Sequence, residues 1–430
     1  VALLLKGGRL VDPAVGLDKV ADVVIRDGRI VEIGKNLTIP KGITIECAAK
    51  IVVPGLVDVH THLREPGYEY KEDIASGSRA AAHGGFTAVC AMANTKPVAD
   101  NGSAVRFVRE RAEAVAKVRV HPIGAITAGQ QGSALAEMGD MLAEGAVAFS
   151  DDGSGVQSGG MMRLAMDYAK QFDATIVSHC EDESIASGGV VNEGVVSTRL
   201  GLAGWPAAAE ETAVARDIAL AELTGCRLHV AHISTAGSAE LVRAAKARGV
   251  RVTCEVTPHH LFLDESAVTG AYDTNFKMNP PLRTAADREA LIAACKDGTV
   301  DCIATDHAPH AAHEKALEFE IAPFGTTGLE TALPLAITNL VARDIIDWAR
   351  LVELMAHGPR RALSLPEVRL EAGQIADITV IDPEAKVEVA PSFFESKALN
   401  SAFLGMTLLG KASEVLVEGQ FALRNGKVAS

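Results

Sequence analysis

The chain has 430 residues, 48% hydrophobic, 22% charged and 4% aromatic, with a formal net charge of -14. That balance excludes a disordered chain, and the acidic excess argues against nucleic acid as a partner, because a duplex binder usually shows a basic patch. No apolar run approaches the ~20 residues needed to span a bilayer, and the opening run 1–5 stops at Lys6-Gly7-Gly8, too short for a secretory signal core.

Residues 1–50 read as short β segments at 2–6, 22–26, 29–33 and 43–46, with Asp27-Gly28 as a hairpin signal between two of them. The long middle changes texture. Eight short apolar runs, at 51–60, 86–92, 119–126, 145–150, 174–178, 227–231, 251–256 and 301–305, alternate with amphipathic stretches such as 101–117, 207–224, 237–249 and 284–297. Apolar strands alternating with helices mean a parallel sheet covered by helices, and eight units close into a barrel. The tail returns to β texture at 378–381 and 414–418. The expected fold class is therefore α/β, a (β/α)₈ TIM barrel over 51–365 with a small β-sandwich domain formed by both chain termini, 1–50 plus 366–430. Seven cysteines without a C-x-x-C pair suit a reducing compartment, and a cytoplasmic location is expected.

Candidate ligands stand at the ends of these runs: His60 and His62, Asn94, Asp151 and Asp152, His179, His232 and Asp306. The carboxyl ends of barrel strands share one face, so residues far apart in sequence converge there. In His60-Thr61-His62, strand alternation turns both imidazoles to one side, within reach of one metal. Imidazole and carboxylate donors without paired cysteine suit Zn²⁺, with Mn²⁺, Fe²⁺ or Co²⁺ as further metals for such a set. Zinc with an open position lowers the pKa of bound water to about 7, which arms it against an amide or ester carbonyl. Taken singly, the aspartates read as turn or cap residues and the histidines as hydrogen-bonded core groups. Their joint arrival at strand ends favours a metal site.

Several blocks carry a family likeness. Pro54-Gly55-Leu56-Val57-Asp58-Val59-His60-Thr61-His62 resembles the first-strand signature of the amidohydrolase superfamily, and Gly373-Gln374-Ile375-Ala376-Asp377-Ile378 resembles its return into the terminal sandwich. The extension His60-x-His62-x-Arg64-x-Pro66-Gly67 is similar to dihydroorotases and close kin. Met92-Ala93-Asn94-Thr95-Lys96-Pro97, Lys277-Met278-Asn279-Pro280-Pro281-Leu282-Arg283, Asp306-His307-Ala308-Pro309-His310 and Gly325-Thr326-Thr327-Gly328-Leu329-Glu330-Thr331 agree with it. Hydantoinases and allantoinases carry a carboxylated lysine at the fourth strand end. This chain reads Ala148-Phe149-Ser150-Asp151-Asp152-Gly153 there, similar to type I dihydroorotases.

The resemblance implies reversible cyclisation of N-carbamoyl-L-aspartate to L-dihydroorotate in pyrimidine biosynthesis, on one or two Zn²⁺ ions. It makes His60, His62, His179, His232, Asp152 (Asp151 as fallback) and Asp306 metal ligands, with Asp306 also the proton shuttle. Arg64, Asn94, Asn279 and His310 become substrate contacts. The polar segment 310–324 reads as a mobile loop closing over substrate. His259, His260, His307 and His313 are assigned structural or loop roles. A homodimer, association with aspartate transcarbamoylase, and no nucleic-acid or membrane partner are expected. The competing readings are an allantoinase or hydantoinase, and an inactive homologue acting as a scaffold.

Overall fold

The computed structural model describes residues 2–429. Three parallel strands, Leu56–Thr61, Phe86–Ala91 and Arg119–Pro122, form one run of pairing; Ala148–Phe149, Thr175–Ser178, Arg227–Val230, Val252–Val256 and Cys302–Ile303 form the other. Backbone bonds join the two runs at both seams. Gly124 N donates to Ala148 O (3.0 Å), and His62 N donates to His307 O (2.9 Å). The result is the expected eight-stranded TIM barrel.

Alternation sorts the strand residues. Val57, Ala88, Cys90, Val177, Ala231, Cys302 and Ala304 fill the barrel interior. Their neighbours Leu56, Phe86, Val89, Ile176, Leu228, Val230 and Ile303 pack outward beneath the helices. Each such side chain buried in full contributes about 1.5–3 kcal/mol. The surrounding helices include Gly102–Val115, Ala207–Thr224, Ala236–Ala247 and Ala285–Asp297, close to the stretches read from sequence. Asn101, Thr235 and Thr284 cap three of them by accepting from backbone N–H groups in the first turn.

The chain ends build a nine-stranded sheet with its own core of Leu5, Leu10, Val23, Ile25, Val380 and Leu416. At the Asp27-Gly28 hairpin both residues are left-handed (φ 50° and 76°) and Arg26 pairs with Arg29, as a two-residue primed turn requires. One sequence run divides. Ile51–Pro54, read with the barrel, instead pairs antiparallel with Ile378–Glu388 and parallel with Leu3–Asp12 in the terminal sheet. Both halves of 51–60 are apolar and buried, so periodicity cannot see the break. Gly55 marks it, because a Cβ there would lie 2.2 Å from Thr87 Oγ1. The seven cysteines are all free and buried, and no described helix is long and apolar enough to cross a membrane.

Candidate functional site

The strand ends deliver their side chains to one mouth of the barrel. His60 and His62 close the first strand, where a register irregularity between Asp58 and Thr61 interrupts regular pairing. Asp58 is wholly buried and ties this strand to the eighth: it accepts from His60 N (3.1 Å), Thr305 N (3.1 Å) and Thr305 Oγ1 (2.5 Å). That tie brings Asp306 beside the first-strand histidines. Arg64, His232 and Asp306 have φ of 62°, 29° and 46°. Backbone held this way costs on the order of 1–3 kcal/mol per residue and gathers where function fixes geometry.

Four imidazole nitrogens and two carboxylates meet here. Asp152 Oδ1 lies 3.3 Å from His60 Nε2, 3.3 Å from His179 Nδ1 and 3.4 Å from His232 Nε2. On the other side, Asp306 Oδ1 lies 2.9 Å from His62 Nε2 and 3.4 Å from His60 Nε2, and Asp152 Oδ2 lies 3.4 Å from His62 Nε2. His60, Asp152 and His232 form one candidate ligand group; His60, His62 and Asp306 form a second. His60 Nε2 and Asp152 Oδ1 are buried without a hydrogen-bond partner. Buried polar atoms are rarely left so, and a cation between them satisfies both.

The field has the matching sign. Burial works against a charged His60, yet Asp152, Glu255 and Asp306 outweigh it and raise its pKa well above the ordinary value. His179 is held up at about 10, its burial overcome by the adjacent carboxylates of Asp152 and Glu181. Asp152 and Asp306 sit below the usual carboxylate range, burial being outweighed by His60 and the other histidines. The centre favours positive charge, as a divalent-cation site must. Asp151 is spent elsewhere, accepting from Ile126 N (2.8 Å), Thr127 N (3.0 Å) and the Thr127 hydroxyl.

Behind the inner set stands a layer that aims it, and two of its members are not evident from the strand-end pattern. Glu255 accepts from His60 Nδ1 (2.6 Å), His229 Nε2 (3.1 Å) and His232 N (3.1 Å). Glu181 accepts from His179 Nε2 (3.1 Å) and from Asn279 Nδ2 (3.1 Å). Asn94 Oδ1 accepts from His62 Nδ1 (2.9 Å). The bonds to His60, His62 and His179 orient each ring so that its opposite nitrogen faces the centre. A signal for Glu255 existed: a lone carboxylate within Val252–Val256 is a buried charge that must find a partner.

A cavity of about 310 Å³ opens over this centre, bordered by Arg64, Asn94, Asn279, His310 and the segment Pro323-Phe324-Gly325. Arg64 forms no ion pair among the described residues; its Nε donates to Pro309 O (3.2 Å) and its Nη groups face the cavity side near His310. Asn279 Oδ1 is buried without a partner. His310 Nε2 donates to Phe324 O (2.7 Å), and burial together with Arg64, Lys71 and Lys315 lowers its pKa to about 2. His310 is therefore a neutral group already engaged with the cavity wall.

The segment 310–324 is anchored more firmly than a polar loop suggests. Lys315 is buried, with Nζ donating to Pro323 O and Gly325 O (3.0 Å each), and Phe319 is buried too. His307 and His260 are structural: His307 Nδ1 accepts from Gly328 N (3.2 Å), and His260 Nε2 donates to Pro280 O (2.9 Å). His259 is buried with Nε2 unpartnered, and His313 stacks on Tyr70.

Residues 49–238 match a family model described as Dihydro-orotase-like. The chain is 51% identical over 423 residues to a dihydroorotase of Pelotomaculum thermopropionicum, covering 98% of this chain and 99% of the relative. It is 51% identical over 425 residues to a dihydroorotase of Geobacter sp. strain M21, covering 99% and 100%. Among solved structures it resembles the L-hydantoinase (dihydropyrimidinase) from Arthrobacter aurescens at a TM-score of 0.90 and 26% identity, covering 100% of this chain and 97% of that one.

Proposed function

The chain belongs to the dihydroorotase family of hydrolytic cyclic amidases, and from that premise we propose that the barrel-mouth cavity interconverts L-dihydroorotate and N-carbamoyl-L-aspartate on a zinc centre held by His60, His62, His179, His232, Asp152 and Asp306. The observation that carries this is the unpartnered pair His60 Nε2 and Asp152 Oδ1, ringed by the remaining imidazoles. Two overlapping ligand groups that share His60, with Asp152 reaching both, support one or two ions.

Bound there, zinc supplies Lewis acidity toward the scissile carbonyl and lowers the pKa of a nucleophilic water. The chain's residues do the rest. In ring opening, Asp306 accepts the proton of the attacking water and delivers it to the departing ring nitrogen; ring closure runs the same transfers in reverse. Arg64, a half-buried guanidinium with no carboxylate partner among the described residues, takes the substrate carboxylate in a two-pronged grip. Asn279 offers its free Oδ1 to a ring N–H. Asn94 and Glu181 keep His62 and His179 aimed, and the wall at His310 and Phe324 keeps water from the far side.

The hydantoinase reading needs a lysine at the fourth strand end, where this chain has Asp151 and Asp152. The free, buried thiols favour a cytoplasmic setting. The proposal extends to assembly as a homodimer and association with aspartate transcarbamoylase, as the resemblance implies; co-elution of the two purified enzymes is its test. For the reaction, zinc-supplied protein is assayed with L-dihydroorotate, dihydrouracil and allantoin, with metal content measured alongside. Turnover of dihydroorotate alone, scaling with bound zinc, is expected. Turnover of allantoin or dihydrouracil instead would overturn the substrate, and no bound metal would overturn the centre.

A further inference from the structure

The floor of the barrel, opposite the active mouth, gathers arginine against the trend of a chain with net charge -14. Arg360 stands at its middle, on the short helix Gly358–Ala362, and is 4% exposed. Its Nη1 donates to the carbonyls of Gly55 (2.7 Å) and Ala356 (2.8 Å). Among the described residues it forms no ion pair, and its Nε and Nη2 find no acceptor. Burial, opposed by Asp377, lowers its pKa to about 10, so the group remains cationic near neutral pH.

A buried guanidinium is costly unless its charge is matched, and the two carboxylates that act on Arg360, Asp377 and Asp12, are paired with Arg119 and His357, so its charge is only partly compensated. Arg360 also borders a cavity of about 240 Å³ that shares no lining residue with the active cleft. Arg227, Arg361 and Arg369 stand around the same cavity. Asp173, 3.8 Å from Arg227, and Glu367, paired with Arg369, are exposed, whereas Glu353, paired with Arg361, is half-buried; Arg227 also donates to Arg361 O (2.6 Å) and to Ser364. Solvent-exposed pairs contribute about 0–1 kcal/mol, so the more exposed guanidinium groups of Arg361 and Arg369 can turn to a stronger acceptor at little loss, while Arg227 is already held at the rim by the Arg361 carbonyl. Glu367, the one acid on the rim, then swings outward.

We propose that this cavity is a binding site for a phosphate group, with Arg360 as the buried anchor and Arg227, Arg361 and Arg369 as the rim. Phosphate fits better than a carboxylate. Its oxygens diverge toward several guanidinium forks and its near-double charge matches more than one arginine, whereas one fork satisfies a carboxylate. The phosphate comes either free or on a small phosphomonoester, and the two sources separate by affinity.

The test is calorimetric titration of the full chain with inorganic phosphate, against chloride at matched ionic strength, followed by ribose 5-phosphate. Saturable binding of one phosphate per chain at the floor is expected. In the exposed pair of changes Arg361→Gln and Arg369→Gln it weakens about tenfold, equal to about 1.4 kcal/mol. Arg360→Lys, which keeps the charge but loses the fork, abolishes it while circular dichroism stays native. Tighter binding of ribose 5-phosphate assigns a phosphomonoester; equal or weaker binding assigns free phosphate. Absence of saturable binding in the unaltered chain, or affinity unchanged in both folded variants, overturns the proposal. The second result would place the anion elsewhere, Arg64 included.

Discussion

Glu255→Gln separates aiming of the ligands from mere support of the barrel. The carboxylate is fully buried and accepts from His60 Nδ1, His229 Nε2 and His232 N at 2.6, 3.1 and 3.1 Å. Glutamine keeps the volume but offers one acceptor oxygen, so either His60 or His229 meets an amide N–H₂ and loses its acceptor. Hydrogen bonds to a charged group contribute about 1.5–3 kcal/mol. The loss of one from the cation-bound state corresponds to a 10–100-fold weaker hold on zinc, the range for partners that orient metal-binding histidines. The assay is zinc competition against a chromophoric chelator, with thermal midpoints measured with and without zinc. Affinity should fall by that factor, and the midpoint of the zinc-loaded protein should drop more than that of the metal-free protein. A zinc affinity within twofold of the parent would refute the aiming role and leave Glu255 a core carboxylate.

Asp152→Asn should remove tight zinc binding by more than the 10–100-fold of an outer partner, whereas Asp151→Asn should keep the zinc and lose about 1–3 kcal/mol of stability through its bonds to Ile126 and Thr127. Metal analysis and urea unfolding of the two variants side by side check this. Arg64→Lys should lower kcat/KM for dihydroorotate by about 10–100-fold, chiefly through KM, because a point charge cannot replace a fork; an unchanged KM would remove Arg64 from the carboxylate site. Asp12 gives a pH dependence. Burial would raise its pKa, but His357 (2.9 Å) and the N–H groups of Leu370 and Ala14 outweigh it and hold it below 3.8. Its folded-state pKa is depressed, so its stabilisation is present above the unfolded value and is lost as pH falls through the folded one. Asp12→Asn should be less stable at pH 7 and lose less stability than the parent on acidification below about pH 4; parallel urea midpoints across that range would contradict it.

Strand ends were the most legible part of this sequence. Each barrel strand falls on one of the eight apolar runs, only Thr61 extending past its run, and the polar residues at the ends of six of them converge at the mouth; Thr127 and Thr257, after the other two, brace Asp151 and cap a helix instead. That legibility is physical: an inward-facing residue at a strand end has no apolar role left to fill, so its type reports on the cavity. Aspartates 151 and 152 could not be separated by alternation alone; the bonds from Ile126 and Thr127 to Asp151 separate them. Asp58 and Glu255 were harder, because their partners lie on other strands and no local pattern names them. Segment 310–324 reads as polar and loose from its composition. Lys315 is instead satisfied by the carbonyls of Pro323 and Gly325, within the loop's own return path. The division at Gly55 was hidden for the opposite reason: two buried strands in different sheets share one apolar run.

The account turns most directly on Asp306, which lies 2.9 Å from His62 Nε2 and borders the cavity facing Arg64. The measurement is turnover of L-dihydroorotate by Asp306→Asn, followed as loss of ultraviolet absorbance, with bound zinc determined on the same sample. Retained zinc with turnover lower by at least 10²–10⁴-fold is predicted for a residue that moves the proton. Full zinc with turnover near that of the parent would contradict the assignment and move the proton transfer to another group.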